Sequence, residues 1–180
     1  ARRELRRRVS FLRRDMSSFN LRRSFALIIT PFRSFQALLS IAEQCHALEA
    51  FHRHLTPGGR LIIDAFVPDL EALVNVPDVL SHLRDTPDPA TGGRFVTWNQ
   101  SRVDPYTQVL GVRHVIDALS PDGHLLDRFY RDFQMRYLFR YELQHLLELS
   151  GFQLEALYGD FQRTPFDEES REQVWVVRAA

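Results

Sequence analysis

The apolar positions of the chain follow two rhythms. Two short runs, residues 24–30 (Ser-Phe-Ala-Leu-Ile-Ile-Thr) and 60–66 (Arg-Leu-Ile-Ile-Asp-Ala-Phe), are almost continuously apolar. That is the pattern of strands covered on both faces, as in a parallel sheet. Between them, residues 34–39 and 41–55 carry helical spacing, with Ile41, Cys45, Leu48, Phe51 and Leu55 on one stripe. Thr56-Pro57-Gly58-Gly59 then supplies the stop signal. Strand, helix, strand in this order predicts a right-handed parallel crossover. Residues 68–83 read as a helix interrupted at Pro77, and residues 85–93 as a loop rich in proline and glycine. The pattern then changes to three strands, residues 94–103, 108–118 and 124–135. Their joints, Asp104-Pro105-Tyr106-Thr107 and Ser120-Pro121-Asp122-Gly123, carry turn chemistry. This predicts an antiparallel meander inside an α/β protein. Residues 139–150 form a helix with Leu143, Leu146 and Leu147 inward and Gly151 as its cap. Residues 152–158 and 173–178 are the last strands, separated by a loop over 160–172. At the start, residues 1–8 read as the end of a helix, and residues 10–13 as a short strand entering the turn Asp15-Met16-Ser17-Ser18.

Composition narrows the picture without choosing a chemistry. A chain of 180 residues fits one domain with a real core. The longest apolar runs are too short for a membrane span, and the arginine-rich start lacks the apolar core of a secretory signal. The single cysteine, Cys45, excludes an internal disulfide and a thiolate metal cluster, so a reducing cytoplasm is the expected compartment. Basic and acidic residues number 23 each, which gives no push towards nucleic acid or membrane. All the basic residues are arginine, a bias we attribute to a GC-rich coding sequence. Many crowd the first 23 positions, but no aromatic residues interleave with the earliest of them, so they read as a solvated face rather than a nucleic-acid patch.

The order and wording of the pieces resemble class I S-adenosylmethionine-dependent methyltransferases of the small-molecule type. Asp15-Met16, a polar turn and then Phe25-Ala-Leu-Ile-Ile resemble the family's adenine contact and fourth strand. Pro31-Phe32-Arg33-Ser34-Phe35-Gln36 resembles the loop after it, and Leu55-Thr56-Pro57-Gly58-Gly59-Arg60-Leu61 the entry to strand five. Leu149-Ser150-Gly151-Phe152 resembles the turn into strand six, and Tyr158-Gly159-Asp160-Phe161 its exit. The resemblance covers the whole chain as a single domain over residues 1–180, with residues 94–135 as an antiparallel insertion like that of small-molecule N-methyltransferases, including those acting on amino sugars. It implies a Rossmann-like sheet with strands 3 to 7 present. One departure is sharp: none of the eight glycines precedes Gly58, and no Gly-x-Gly occurs. The glycine-rich cofactor loop, with strands 1 and 2, is therefore expected to be missing through truncation. Removing those strands exposes sheet edges, which favours a homo-oligomer.

The resemblance implies S-adenosylmethionine as cofactor, with Asp15 taking the adenine amino hydrogen and Met16 packing on the ring. The alternative is that Asp15 caps a turn and Met16 fills core. Thr30, Phe32 and Ser34 sit at the C-terminal end of a parallel strand, where open α/β sheets bind ligands, and their backbone can line the methionyl part. Ordinary capping by Ser34 explains it equally well. Phe66 can wall a substrate site or simply fill core. Arg136, Tyr137, Arg140 and Tyr141 can cover the pocket, an arginine there taking a carboxylate or phosphate, or can start a solvated helix. Tyr158 and Asp160 can orient an amine. Methyl transfer from a sulfonium needs alignment more than a fixed triad, so no catalytic residue is assigned. His52 and His54 point to different helix faces, so no metal site is expected. His114 beside Asp117 suggests a general base at most. The function expected is methyl transfer to a small-molecule N or O nucleophile by the full-length protein, this chain alone being inactive. The competing reading is a non-catalytic methyltransferase-like binding or regulatory domain.

Overall fold

Strands β1 (Phe25–Thr30) and β2 (Leu55–Phe66) pair in parallel, Ile28 opposite Leu61 and Thr30 opposite Ile63. Strand β8 (Glu172–Ala179) pairs antiparallel to β2, and β7 (Phe152–Tyr158) antiparallel to β8. The sheet order is β1-β2-β8-β7, so β1, β2 and β7 run one way and β8 the other. The computed structural model describes residues 9–75 and 78–180. The helical reading of residues 1–8 and the interruption at Pro77 lie outside them.

Helix α1 (Ile41–His54) makes the crossover between β1 and β2. Ser40 caps it: its Oγ accepts from the Glu43 amide at 3.2 Å while the Glu43 carboxylate accepts from the Ser40 amide at 2.9 Å. This reciprocal pair satisfies two donors that would otherwise lack partners. Helix α3 (Arg140–Leu149) follows the second sheet, and α2 (Leu70–Val74) is a single short helix between them. Leu48 and Phe51 of α1 and Leu143 and Leu147 of α3 bury against Leu61, Ile63, Trp175 and Val177. These helices cover one face of the sheet.

The other face of β1 is uncovered among the described residues. Leu27 and Ile29 of β1 are more than half exposed, which corrects the expectation that β1 is covered on both faces. Its apolar run reports a strand whose second face finds no helix among the described residues. Residues 10–13 are likewise not a strand, because the free side of β1 pairs with nothing described and an isolated strand has no ladder to join. Strand 3 of the expected sheet is therefore absent from the described residues. Ile41 lies off the apolar stripe of α1 and is 59% exposed, and Cys45 is only half-buried. Residues 34–39 shorten to one 3-10 turn, Ser34–Ala37.

The second sheet has four strands in sequential antiparallel order: β3 (Ser81–Pro87), β4 (Arg94–Asp104), β5 (Val109–Leu119) and β6 (Leu125–Arg136). The expected three strands are there. The fourth, β3, replaces most of what the sequence read as the end of a helix and the start of a loop. Buried amides join this sheet to the first. Gln36 donates from Nε2 to the Arg136 carbonyl at 3.1 Å and accepts at Oε1 from the Phe66 amide at 3.2 Å. Gln173 donates to the carbonyls of Phe66 and Leu138 at 3.2 and 3.0 Å.

Candidate functional site

The C-terminal ends of β1 and β2 frame a cleft of about 310 Å³, lined by Pro31, Phe32, Arg33, Asp64, Phe161 and Glu172. Its floor is made by an unusual backbone. Phe32 and Arg33 both adopt left-handed conformations, φ 58° in each case, which non-glycine residues reach only at a cost of about 1–3 kcal/mol apiece. The kink points the Arg33 amide at the Asp64 carboxylate, 2.9 Å away, and the Arg33 guanidinium onto Glu172 and over the Phe66 ring at 5.5 Å. Phe32 is left 94% exposed at the mouth.

Asp64 is buried, and that burial pushes its carboxyl above the usual carboxylate range. The Arg33 amide pulls it down, while the neighbouring Glu172 charge adds to the rise. Sequence reasoning missed Asp64. Its signal was a lone acid inside the apolar run Leu-Ile-Ile-Asp-Ala-Phe. Also missed were Glu172, Gln36 and Gln173, since amides and acids at strand ends look like ordinary surface in a sequence. Glu172 Oε2, Gln173 Oε1 and Arg136 Nε are buried without a hydrogen-bond partner, so polar capacity is left over near this rim.

Of the residues read from sequence, Phe32 lines this cleft, Phe66 lies under the Arg33 guanidinium, and Thr30 and Ser34 flank the Pro31-Phe32-Arg33 turn. Thr30 is buried, and the Ser34 hydroxyl donates to the Pro31 carbonyl at 2.7 Å. The Ser34 side chain therefore helps hold the turn. Asp15 accepts from the Ser17 amide and hydroxyl at 2.8 and 2.6 Å, which holds its carboxyl below the usual range. Met16 packs partly buried against the core. Both residues sit in a turn near the start of α1, where the Asp15 charge acts on Glu43.

Tyr158 and Asp160 line a neighbouring hollow of about 520 Å³, which shares Phe161 with the cleft. The Asp160 carboxylate is engaged by the Gln162 and Thr164 amides and the Thr164 hydroxyl, so it holds its own loop. Arg136 is directed inward. It donates to Gln108 and Glu142, each at 3.2 Å, and is mostly buried. Tyr137 is buried, edge-on to Phe139, and burial raises its hydroxyl pKa. Arg140 lies apart from these, over Tyr141 and Phe166.

His54 and His114 have packing roles. His54 is buried, its Nε2 accepting from the Leu21 amide at 2.9 Å and its Nδ1 lying 2.6 Å from the Ala50 carbonyl. His114 and Asp117 face opposite sides of β5, and Asp117 is bound to Trp98 and Arg128, so the suggested base pair does not form.

No protein-family model matches the chain, and no curated protein sequence matches it. Solved structures do. The CcbJ methyltransferase from Streptomyces caelestis is 25% identical with a TM-score of 0.72, over 92% of this chain and 65% of that one. An S-adenosylmethionine-dependent methyltransferase from Clostridium acetobutylicum is 14% identical with a TM-score of 0.78, over 99% and 69%. CalS10, an amino pentose methyltransferase from Micromonospora echinaspora solved with S-adenosylmethionine bound, is 18% identical with a TM-score of 0.67, over 92% and 63%. The chain thus has an α/β methyltransferase-like fold and spans about two thirds of the length of these neighbours. No helix among the described residues is long and apolar enough to cross a membrane.

Proposed function

We propose that this chain is part of an S-adenosylmethionine-dependent methyltransferase acting on an N or O nucleophile of a small molecule. The observation that carries the reading is the cleft at the C-terminal ends of parallel β1 and β2, within the order β1-β2-β8-β7. The neighbours support it: the Clostridium acetobutylicum protein is described as an S-adenosylmethionine-dependent methyltransferase, and CalS10, solved with that cofactor bound, is an amino pentose methyltransferase.

The described residues fit the cofactor in part. Asp15 and Met16 would hold the adenine, and the backbone at Thr30, Phe32 and Ser34 would line the methionyl part. No glycine before Gly58 offers a cradle for the rest. We therefore assign the glycine-rich loop to residues outside these 180, and activity to the longer protein. The outer edge of β1, which pairs with no strand among the described residues, and the exposed Leu27 and Ile29 support that assignment. Bound S-adenosylmethionine supplies an activated methyl group on a sulfonium. The chain's residues would then position and shield: Phe66 supports the Arg33 side chain that lines the cleft, Asp64 and Glu172 offer carboxylates to an incoming amine or hydroxyl, and Tyr158 with Asp160 shapes the adjoining hollow. Arg136, Tyr137 and Arg140 stand beyond this as further candidates for the substrate side, with Arg136 and Tyr137 serving chiefly to anchor the second sheet.

The test is mass spectrometry of small amines and alcohols, amino sugars among them, incubated with the longer protein and S-adenosylmethionine. A product heavier by one methylene group, reduced in Asp64→Asn and Glu172→Gln, supports the reading. Tight cofactor binding without any product would favour the binding module instead.

A further inference from the structure

The cleft at the ends of β1 and β2 sets two acids against one base. Among its lining residues Asp64 and Glu172 are carboxylates, Arg33 is the cation, and Phe32 and Phe161 are aromatic. The Arg33 guanidinium bonds Glu172 and lies over the Phe66 ring, 5.5 Å from its centroid. A carboxylate beside an aromatic face is the environment that recognises an organic cation, the ion pair supplying charge and the ring quadrupole adding to it. This chain fills that environment with one of its own side chains.

Arg33 does not exhaust the seat. Asp64 is 5% exposed, its Oδ2 accepts from the Arg33 amide, and no other residue donates to its carboxylate among the described residues. Glu172 Oε2 is buried without a hydrogen-bond partner. Each carboxylate oxygen can accept more than one bond, so acceptor capacity is unspent on both acids. An ammonium group brings three donors and a positive charge. An alcohol brings one donor and leaves the charge uncompensated. Buried charge is costly unless it is both paired and hydrogen-bonded, so this seat favours a cation over a hydroxyl.

Arg33 is also placed to leave. Its side chain is 42% exposed against 19% for Glu172, so the guanidinium reaches in from the solvent side. Its backbone is anchored separately, by the amide bond to Asp64 within the left-handed turn. Rotation about the side-chain bonds therefore withdraws the guanidinium while the turn stays in place, and such rotations are fast in exposed side chains. The cleft, about 310 Å³, is at the small end of ligand sites and suits a molecule of about one ring.

We propose that the Arg33 guanidinium holds the place of a ligand cation: the cleft seats the protonated amine of a small molecule between Glu172, Asp64 and the Phe66 ring, and Arg33 swings aside to admit it. That the seated amine is the group to be methylated rests on the methyl-transfer reading above. The seat itself does not.

Titration of the 180-residue chain with cyclohexylammonium and with cyclohexanol, at constant ionic strength and followed by the amide NMR signal of residue 33, tests it. The two probes share shape and differ in charge. Cyclohexylammonium should bind at least about ten-fold more tightly than cyclohexanol. Arg33→Ala removes the internal competitor and should tighten cyclohexylammonium by about ten-fold again. Methylguanidinium, a copy of the deleted group, should likewise bind Arg33→Ala more tightly than wild type. Adding Glu172→Gln to Arg33→Ala should abolish both gains. The amide spectrum reports whether each variant is folded, and Arg33→Gln, which keeps a polar side chain without the charge, makes the same comparison if Arg33→Ala is not. Equal binding of the two probes, no gain on removing the Arg33 charge, or a gain that survives Glu172→Gln would overturn the proposal. Charge-selective binding without methyl product from the longer protein supports the seat and counts against the transfer reading. Methyl product without charge-selective binding does the reverse.

Discussion

Asp64 is the side chain whose ionisation the fold alters most near the cleft. Its carboxyl is raised because burial penalises the charge more than the Arg33 amide rewards it. Between the ordinary carboxylate range and its raised value, the folded chain holds a proton that the unfolded chain has released, so stability falls as pH rises through that window. Asp64→Asn keeps an acceptor for the Arg33 amide and removes the buried charge. Thermal melts should therefore place the variant level with wild type near pH 3.5 and above it by about 1–4 °C at pH 8. Parallel pH profiles would show that Asp64 is solvated after all. At this scale the sequence was half legible. The strand end followed by Pro-Phe-Arg-Ser was readable as a local pattern, and Phe32 of that turn lines the cleft. Asp64, Glu172 and the two glutamines could not be read, because their importance comes from burial and from contacts 30 to 139 residues away in the chain.

Elements were legible where a local period decided them. Leu143, Leu146 and Leu147 recur at helical spacing, and α3 forms there with Gly151 at φ 83° closing it. Leu147→Ala in this helix should cost about 2–5 kcal/mol in denaturant unfolding, since Leu147 is 2% exposed and lies in the shared core of both helices and the sheet. A loss under 1 kcal/mol would mean that α3 packs more loosely than described. Elements failed to be legible where a neighbour decided them. Residues 81–87 have no alternation and every residue is exposed, yet they form β3 because β4 offers a ladder. Residues 10–13, read as a short strand, are offered no ladder among the described residues.

At the scale of the whole molecule, two sheets meet at one junction of buried amides. Gln173 is fully buried and bridges the end of β2 to Leu138, just past β6. Gln173→Ala leaves two carbonyls without that donor. It should lower stability by about 1–3 kcal/mol and raise amide exchange near Phe66 and Leu138 before elsewhere. Uniform exchange across both sheets would place the junction's strength in other contacts. The class of fold could be read from the parallel pair and the turn phrases. The open face of the first sheet could not, since it depends on what lies against β1. We propose that β1 and β2 frame part of a cofactor site whose glycine-rich loop lies outside these 180 residues. Calorimetric titration with S-adenosylmethionine should then give micromolar affinity in the longer protein and weak or undetectable heat with the 180-residue chain. Micromolar binding by that chain alone, or none by the longer protein, would contradict it.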